Sequence, residues 1–308
     1  CGIKVNSLGP TLKKLIVKNN GAIYGGSGFE AGCNGSLNFL ITDCIFEKNN
    51  HAGYVINVCN IHTSGNYYEI KNTKVINNQP SYAAIRFDGN KASIQNCLIV
   101  GNTGYGIGIV NAELGVEIGN CTIANNTKEG IYILYNNIHA SIVNVTNSIL
   151  WNNGEHEMGV TDLIPATIFN VSYTILKNGI DGILSQVTSV VNYGENNITS
   201  NPLFVDSAAG DYRLLDSSPC IGAGTLINDT PTVDIEGNLR PSPAGSKPDI
   251  GAYENALASP IDGLVDIYDL VLAASQFGQS GEGLSADVNG DNQVDIFDLV
   301  QIASHFGL

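Results

Sequence analysis

Asn120-Cys121-Thr122-Ile123-Ala124-Asn125-Asn126 decides the fold, because versions of it recur through the first two-thirds of the chain. Asp43-Cys44-Ile45-Phe46-Glu47-Lys48-Asn49, Asn72-Thr73-Lys74-Val75-Ile76-Asn77-Asn78, Asn96-Cys97-Leu98-Ile99-Val100-Gly101-Asn102 and Asn147-Ser148-Ile149-Leu150-Trp151-Asn152-Asn153 are further copies. Weaker ones begin at Lys14 and Tyr173. The copies start at 14, 43, 72, 96, 120, 147 and 173, in steps of 29, 29, 24, 24, 27 and 26 residues. Self-similarity at such a period marks a solenoid.

The period is built from strands. Small or apolar residues stand two apart in each copy, the alternation of a strand with one buried face. A second strand-like run follows, as in Tyr54-Val55-Ile56-Asn57-Val58, Ile107-Gly108-Ile109 and Ile131-Tyr132-Ile133. Between the runs lie Asn, Gly and Asp, which tolerate left-handed turns. A coil of about 24 residues at ~3.3 Å per residue holds three short strands and their turns. The fold class expected is therefore mainly β, a right-handed parallel β-helix, with handedness set by the rule for parallel crossovers.

Stacked coils predict three ladders. Leu15, Cys44, Thr73, Cys97, Cys121, Ser148 and Thr174 form one inward row. Val17, Phe46, Val75, Ile99, Ile123, Leu150 and Leu176 form the next. Asn20, Asn49, Asn78, Asn102, Asn126 and Asn153 stack at a turn, with their amides bonded along the axis. Between the inward rows, Ile16, Ile45, Lys74, Leu98, Thr122 and Ile149 make an outward stripe too apolar for a freely solvated face, to be covered by the C-terminal part of the chain or by a partner. Tyr54, Tyr82, Tyr105 and Tyr132 recur at similar phases; stacking along the solenoid is favoured over a sugar platform.

Charged residues make up 14% of the 308-residue chain, and 14 Lys plus Arg against 29 Asp plus Glu give a net charge of −15. Nucleic acid is disfavoured as a partner, since phosphate binding needs a basic patch, and acidic polymers are disfavoured for the same reason. Calcium is a natural counter-ion. No apolar run approaches the ~20 residues of a membrane helix. Of seven cysteines, Cys44, Cys97 and Cys121 read as buried thiols, whereas Cys33 and Cys59 are placed to pair at one edge. Seven Asn-x-Ser/Thr sequons start at Asn34, Asn120, Asn125, Asn144, Asn170, Asn197 and Asn228. A chain this rich in Asn, Ser and Thr makes several by chance, and that reading is favoured over glycosylation. Cys1 falls inside a coil by phase, and Cys1-Gly2 also resembles the start of a mature bacterial lipoprotein.

From Val171 the repeat fades. The order Asn201-Pro202-Leu203-Phe204-Val205-Asp206, Gly210-Asp211-Tyr212-Arg213-Leu214, Ser217-Ser218-Pro219-Cys220-Ile221-Gly222 and Asp249-Ile250-Gly251-Ala252-Tyr253-Glu254 resembles the closing region of bacterial surface β-helix proteins of the choice-of-anchor Q type. That resemblance implies a secreted or cell-surface β-helix and no particular activity. The expected organisation is coils over 1–205, a closing and capping region over 206–256, and a C-terminal module over 257–308. Arg213 and Arg240 lie among Asp211, Asp234 and Asp249, as structural ion pairs.

The C-terminal module carries a duplication. Asp262-Gly263-Leu264-Val265-Asp266-Ile267-Tyr268-Asp269 matches Asp291-Asn292-Gln293-Val294-Asp295-Ile296-Phe297-Asp298 at an offset of 29 residues. In the second copy Asp287, Asn289, Asp291, Asp295 and Asp298 take loop positions 1, 3, 5, 9 and 12, with the carbonyl of Gln293 at 7. This is the oxygen-ligand spacing of an EF-hand-type calcium loop. Asn292 stands at position 6, where Gly is usual, and can adopt the left-handed turn. The first copy keeps Asp262, Leu264, Asp266 and Asp269, but Ala258 and Pro260 replace its first two ligands, so that loop binds weakly or not at all. The duplicated loop and helix resemble a type I dockerin, which implies Ca²⁺ as the bound ion and a cohesin-like module as partner. Ile267-Tyr268 and Ile296-Phe297 occupy the partner-reading positions and could equally dock on the chain's own coils. An incomplete first coil also exposes strand groups to neighbouring copies of the chain.

Catalytic residues are not identified. Arg86 and Asp88 read as a surface ion pair, His51 lies about one coil before them, and Glu47, Glu69, Glu117 and Glu129 are scattered in phase. The reading is an extracellular or cell-surface calcium-binding β-helix with a structural, assembly or glycan-associated role. The alternative is a dockerin-borne polysaccharide lyase or glycoside hydrolase.

Overall fold

The computed structural model describes residues 2–5, 10–22, 26–31, 38–59, 67–89, 91–110, 112, 114–134, 141–160, 167–185, 188–227, 230–242, 246–255, 273–274, 276–281, 284, 286–289 and 291–304. The chain forms two compact units, Cys1–Asn201 and Pro202–Leu308. The first is a parallel β-solenoid. Each coil passes through three sheets in turn, as in Lys91–Gln95, Leu98–Val100 and Tyr105–Val110. Two of these sheets have eight strands and the third has seven, each strand paired with its counterpart in the neighbouring coil.

The repeated heptad builds the shortest of the three strands and the two bends around it. The first residue of each copy is left-handed, at Lys14, Asp43, Asn72, Asn96, Asn120, Asn147 and Tyr173, with φ between 48° and 56°. So is the sixth, at Asn19, Lys48, Asn77, Asn125, Asn152 and Asn178. In the fourth copy that sixth residue is Gly101, φ 66°, and a side chain there would run into the Asn77 amide. Asn and Gly dominate these corners because an ordinary L-residue pays roughly 1–2 kcal/mol in this region.

The predicted inward rows are present. Val17, Phe46, Val75, Ile99, Ile123, Leu150 and Leu176 pair in unbroken register and are buried. Cys44, Thr73, Cys97, Cys121, Ser148 and Thr174 are 0–1% exposed, and Cys44, Cys97 and Cys121 are free thiols. Leu15 departs from the expectation: it is 36% exposed, because its coil lies at the open start of this row. Within the stripe, exposure falls from 65% at Ile16 to 3% at Leu98 and 1% at Thr122 and Ile149. Cys33 lies outside the described residues, as does the side chain of Cys59.

The asparagine ladder runs the length of these coils. Asn49 Nδ2 donates to Asn78 Oδ1 at 3.0 Å, Asn78 to Asn102 at 2.9 Å, Asn102 to Asn126 at 2.9 Å and Asn126 to Asn153 at 2.9 Å. The same Nδ2 atoms donate to Val17, Phe46, Val75 and Ile99 carbonyls. Each Oδ1 also takes the backbone N–H of the preceding rung.

In the second unit, Phe204–Asp206 pairs antiparallel with Asp211–Leu214. Its C-terminal part contains the helix Ile296–Ser304 and a small core of Ala273, Ala286, Val294 and Ile302.

Replacing Asn102 by Ala removes the acceptor of both the N–H and the Nδ2 of Asn78 and the donor to Val75, all in the core. At about 1–3 kcal/mol for a stranded buried polar group, Asn102→Ala is expected to cost about 3 kcal/mol or more in chemical denaturation. Asn20→Ala, at the exposed end, should cost about 1 kcal/mol or less. Equal effects at the two sites would show that the ladder does not act as a buried unit.

Candidate functional site

The second C-terminal loop is the most built of the sequence-predicted sites. Asn292 takes the left-handed turn, with φ 63°. Asp287 accepts the N–H groups of Asp291 and Asn292 at 3.2 and 2.8 Å, and Asn289 accepts Asp291 N–H at 2.9 Å. Asp291 accepts Gln293 N–H and Asp295 accepts Phe297 N–H, at 2.9 and 2.8 Å. Asp298 is fully buried, and its carboxylate takes the N–H groups of Val288, Asn289 and Asp295. One side chain thus ties the start of the loop to its end. Every donor at these positions is a hard oxygen, which fits Ca²⁺ by chemistry. Yet no three His, Cys, Asp or Glu side chains among the described residues converge closely enough to enclose a cation. Asp262, Leu264, Asp266 and Asp269 lie outside the described residues.

Ile296, Phe297 and Val300 are 55%, 67% and 59% exposed, an apolar face on the helix that leaves this loop.

In the coils, Arg86 and Asp88 corrected one expectation. They do pair, Nη2 to Oδ2 at 2.6 Å, but both side chains are only 10% exposed, so this is not a surface ion pair. Arg86 also donates to Asn57 Oδ1 at 3.2 Å and lies over the Tyr54 ring at 5.2 Å. The tertiary packing of two aromatic and amide neighbours on a sheet face buried what strand alternation placed outside. Of the other acids, Glu47 is engaged with Lys48, Glu69 with Lys71, and Glu117 with the Asn144 amide. The side chain of His51 is outside the described residues. Tyr105 stacks on Tyr132 with centroids 4.4 Å apart, and Tyr54 tilts on Tyr82 at 5.9 Å, so ring faces are spent on one another.

The arginines of the second unit differ from one another. Arg213 pairs with Asp211 at 2.6 Å in solvent, and this partner holds the Asp211 carboxyl below its usual range. Arg240 is wholly buried and pairs with Glu254 at 3.2 Å, and its charge also acts on Asp249. Asp234 and Asp249 also hold backbone groups. Asp234 accepts the N–H groups of Glu236, Asn238 and Glu254, and Asp249 those of Gly222 and Asn255. Burial pushes the carboxyls of Asp249 and Glu254 up.

Stacked coils with parallel sheets, in-register aliphatic rows and an internal amide ladder define a β-solenoid. Residues 58–239, more than half of the chain, match the right-handed β-helix region family, and the chain belongs to that family. Searches of curated proteins and of solved structures give no match. No helix among the described residues is long and apolar enough to cross a membrane.

One acid was missed by the sequence reading. Glu157 is 3% exposed and ends the asparagine ladder, taking Asn153 Nδ2 at 2.6 Å and Asn153 N–H at 3.3 Å. Its signal was available: the next copy has Gly179 where Asn would stand, so Asn153 needs another acceptor. Burial pushes the Glu157 carboxyl up to about 7, against the hydrogen bonds from Asn153 and the charge of Lys177. A folded pKa above the unfolded value means that the folded state binds the proton more tightly. The penalty is therefore absent at low pH and grows as pH rises from about 4.5 to 7, reaching roughly 3 kcal/mol above that window. Glu157→Gln keeps an acceptor for Asn153 without a charge. It is expected to stabilise the chain at pH 8 by about 1–3 kcal/mol and to do little at pH 4.5, measured as the difference between variant and parent melts. A gain of the same size at both pH values would sink the assignment.

Proposed function

We propose that this chain is an extracellular or cell-surface β-helix protein that works as a scaffold rather than as a catalyst, with a dockerin-like C-terminal module that takes one Ca²⁺ ion. The observation that carries the reading is the second loop. Asp287, Asn289, Asp291, Asp295 and Asp298 each accept backbone N–H groups around the left-handed Asn292. Such bonds fix a loop of oxygen donors at the spacing a Ca²⁺ loop uses. The ion would supply positive charge among four carboxylates and cross-link the loop.

The exposed Ile296, Phe297 and Val300 support a protein partner for this module, of the cohesin-like kind or a second copy of the chain. The closing-region resemblance to choice-of-anchor Q proteins supports the surface location. The lyase or glycosidase reading has less support, because glycoside hydrolysis needs two carboxyl groups placed together about the bond, and Glu47, Glu69 and Glu117 are each held by a different partner.

Calorimetric titration with Ca²⁺ is expected to show one site, with Kd of roughly 10⁻⁷–10⁻⁵ M, lost in Asp287→Ala. Chelation should loosen the C-terminal segment in hydrogen exchange and leave the coils protected. No heat of binding, or two equal sites, would count against this reading of the loops. On plant and algal polysaccharides no unsaturated or reducing sugar should be released; release that disappears in Arg86→Ala would overturn the scaffold assignment.

A further inference from the structure

Charge is spread unevenly along this chain. Residues 1–74 hold seven of the 14 Lys and Arg but only four of the 29 Asp and Glu. Residues 257–308 hold eight Asp and Glu and no Lys or Arg. The first coils are thus basic and the C-terminal module strongly acidic, within a chain of net charge −15.

The basic charge gathers around one outward apolar position. Lys13, Lys14, Ile16 and Lys18 are all exposed, Ile16 to 65%. Lys13 ends the strand Thr11–Lys13, Lys14 is the left-handed corner after it, and Ile16 and Lys18 face outward from the strand Ile16–Lys18. Ile16 pairs in register with the half-buried Ile45. Further along the same outward row Leu98 and Thr122 are buried, so its exposed apolar surface is confined to the first rungs. No ion pair among the described residues engages Lys13, Lys14 or Lys18.

The helix Ile296–Ser304 carries the complementary pattern. Ile296, Phe297 and Val300 are exposed and lie within one turn of each other on one face. Asp291 and Asp295 stand in the loop that leads into this helix. The one charged residue within the helix, Asp298, is buried, so the face itself is apolar with acids at its border.

We infer that this helix face of one copy docks on the surface over residues 13–18 of a neighbouring copy, so that chains associate head to tail. Ile296 and Phe297 would cover Ile16, and the three lysines would face the acidic border. Either surface set against itself would bring like charges together, which is repulsive. Only the unlike pair gains, and an interface between two different surfaces propagates into a ring or an open chain. Nucleic acid is a poorer occupant of the lysines, because the acidic remainder of the chain repels it. The inference rests on the scaffold reading, for which it names the partner. It does not need Ca²⁺, since one bound ion offsets two of the eight negative charges and leaves the module acidic.

The test is analytical ultracentrifugation of the full chain over roughly 10⁻⁵–10⁻³ M, the range suited to a small interface, in Ca²⁺ and again in chelator. The mass is expected to rise with concentration past the dimer in both buffers. Association should weaken about tenfold between about 0.05 M and about 0.5 M salt. Ile16→Glu and Phe297→Lys each put a like charge into one half of the contact, and each alone should stay monomeric with its melting temperature unchanged. Mixed, they should form a dimer and stop there, because one copy keeps the helix face and the other keeps the coil face. Lys13→Gln with Lys18→Gln alters only exposed charge and should weaken association about threefold; it and the salt series keep the proposal open to refutation if Ile16→Glu fails to fold. The inference is overturned by a parent that is monomeric throughout, by association indifferent to salt, by either single variant associating like the parent, or by two folded variants that give no dimer when mixed. Binding of the parent to phosphatidylglycerol vesicles that is lost in the double variant, without self-association, would also overturn it and make the face a membrane contact. Ca²⁺ binding by a persistent monomer would sink the contact alone, and association without Ca²⁺ binding would sink the loop reading alone.

Discussion

The buried amide of the asparagine ladder is the interaction on which the solenoid depends. Parallel coils satisfy their backbone groups sideways in the strands, but each corner turns carbonyls and N–H groups out of the ladder of strand hydrogen bonds. An asparagine at the corner closes that gap. Its Oδ1 takes the previous rung's N–H and amide, and its Nδ2 reaches a carbonyl and the next rung. The rungs are 29, 29, 24, 24 and 27 residues apart in sequence, yet the contact length hardly changes. Length variation is therefore kept out of the corner and carried by the other connections of each coil.

A ladder of this kind must also stop. The rung after Asn153 is a carboxylate four residues on in the same chain segment, and not an amide from the next coil. Glu157 supplies the acceptor but no donor while ionised, which suits a terminus: nothing further along is required to receive one. The cost is a buried charge, and the raised pKa is its physical expression. Glutamate at this place links the end of the internal row to solution pH in a way that no rung inside the row shares.

The coils were legible in the sequence because three signals coincide in one heptad: two left-handed corners, an inward aliphatic and an amide, all at fixed phase. Asn120 and Asn125 fall at φ 50° and 53°, where their residue type points. The reading was less good wherever the cause was a neighbour rather than a period. Leu15 has the right phase but lies at the start of its row. Arg86 and Asp88 have outward phase and are buried by what packs over them. Arg240 makes the structural ion pair expected of it, but with Glu254, an acid the sequence reading had not named beside it. An outer row of amides, Asn144, Asn170 and Asn192 in register, was hidden by its likeness to a short generic triplet. The 26-residue step from Asn144 to Asn170, equal to the local coil step, was the clue that would have revealed it.

A stack of coils repeats every side chain at about 4.8 Å, and this limits what its rows can contain. Like charges that close oppose one another, whereas an amide complements its own copy. The registered pairs of the coils follow this rule. Lys4 faces Glu30, and Lys18 faces Glu47. Ser93 stands between Glu69 and Glu117, so two acids of one row are held two coils apart, close to the screening length of ~8–10 Å in salt. The next positions in that row are Asn144, Asn170 and Asn192. A chain with an excess of acid can stack indefinitely only if most rungs are uncharged. On the outer face this constraint favours asparagine, as the corner hydrogen bonds do on the inner one.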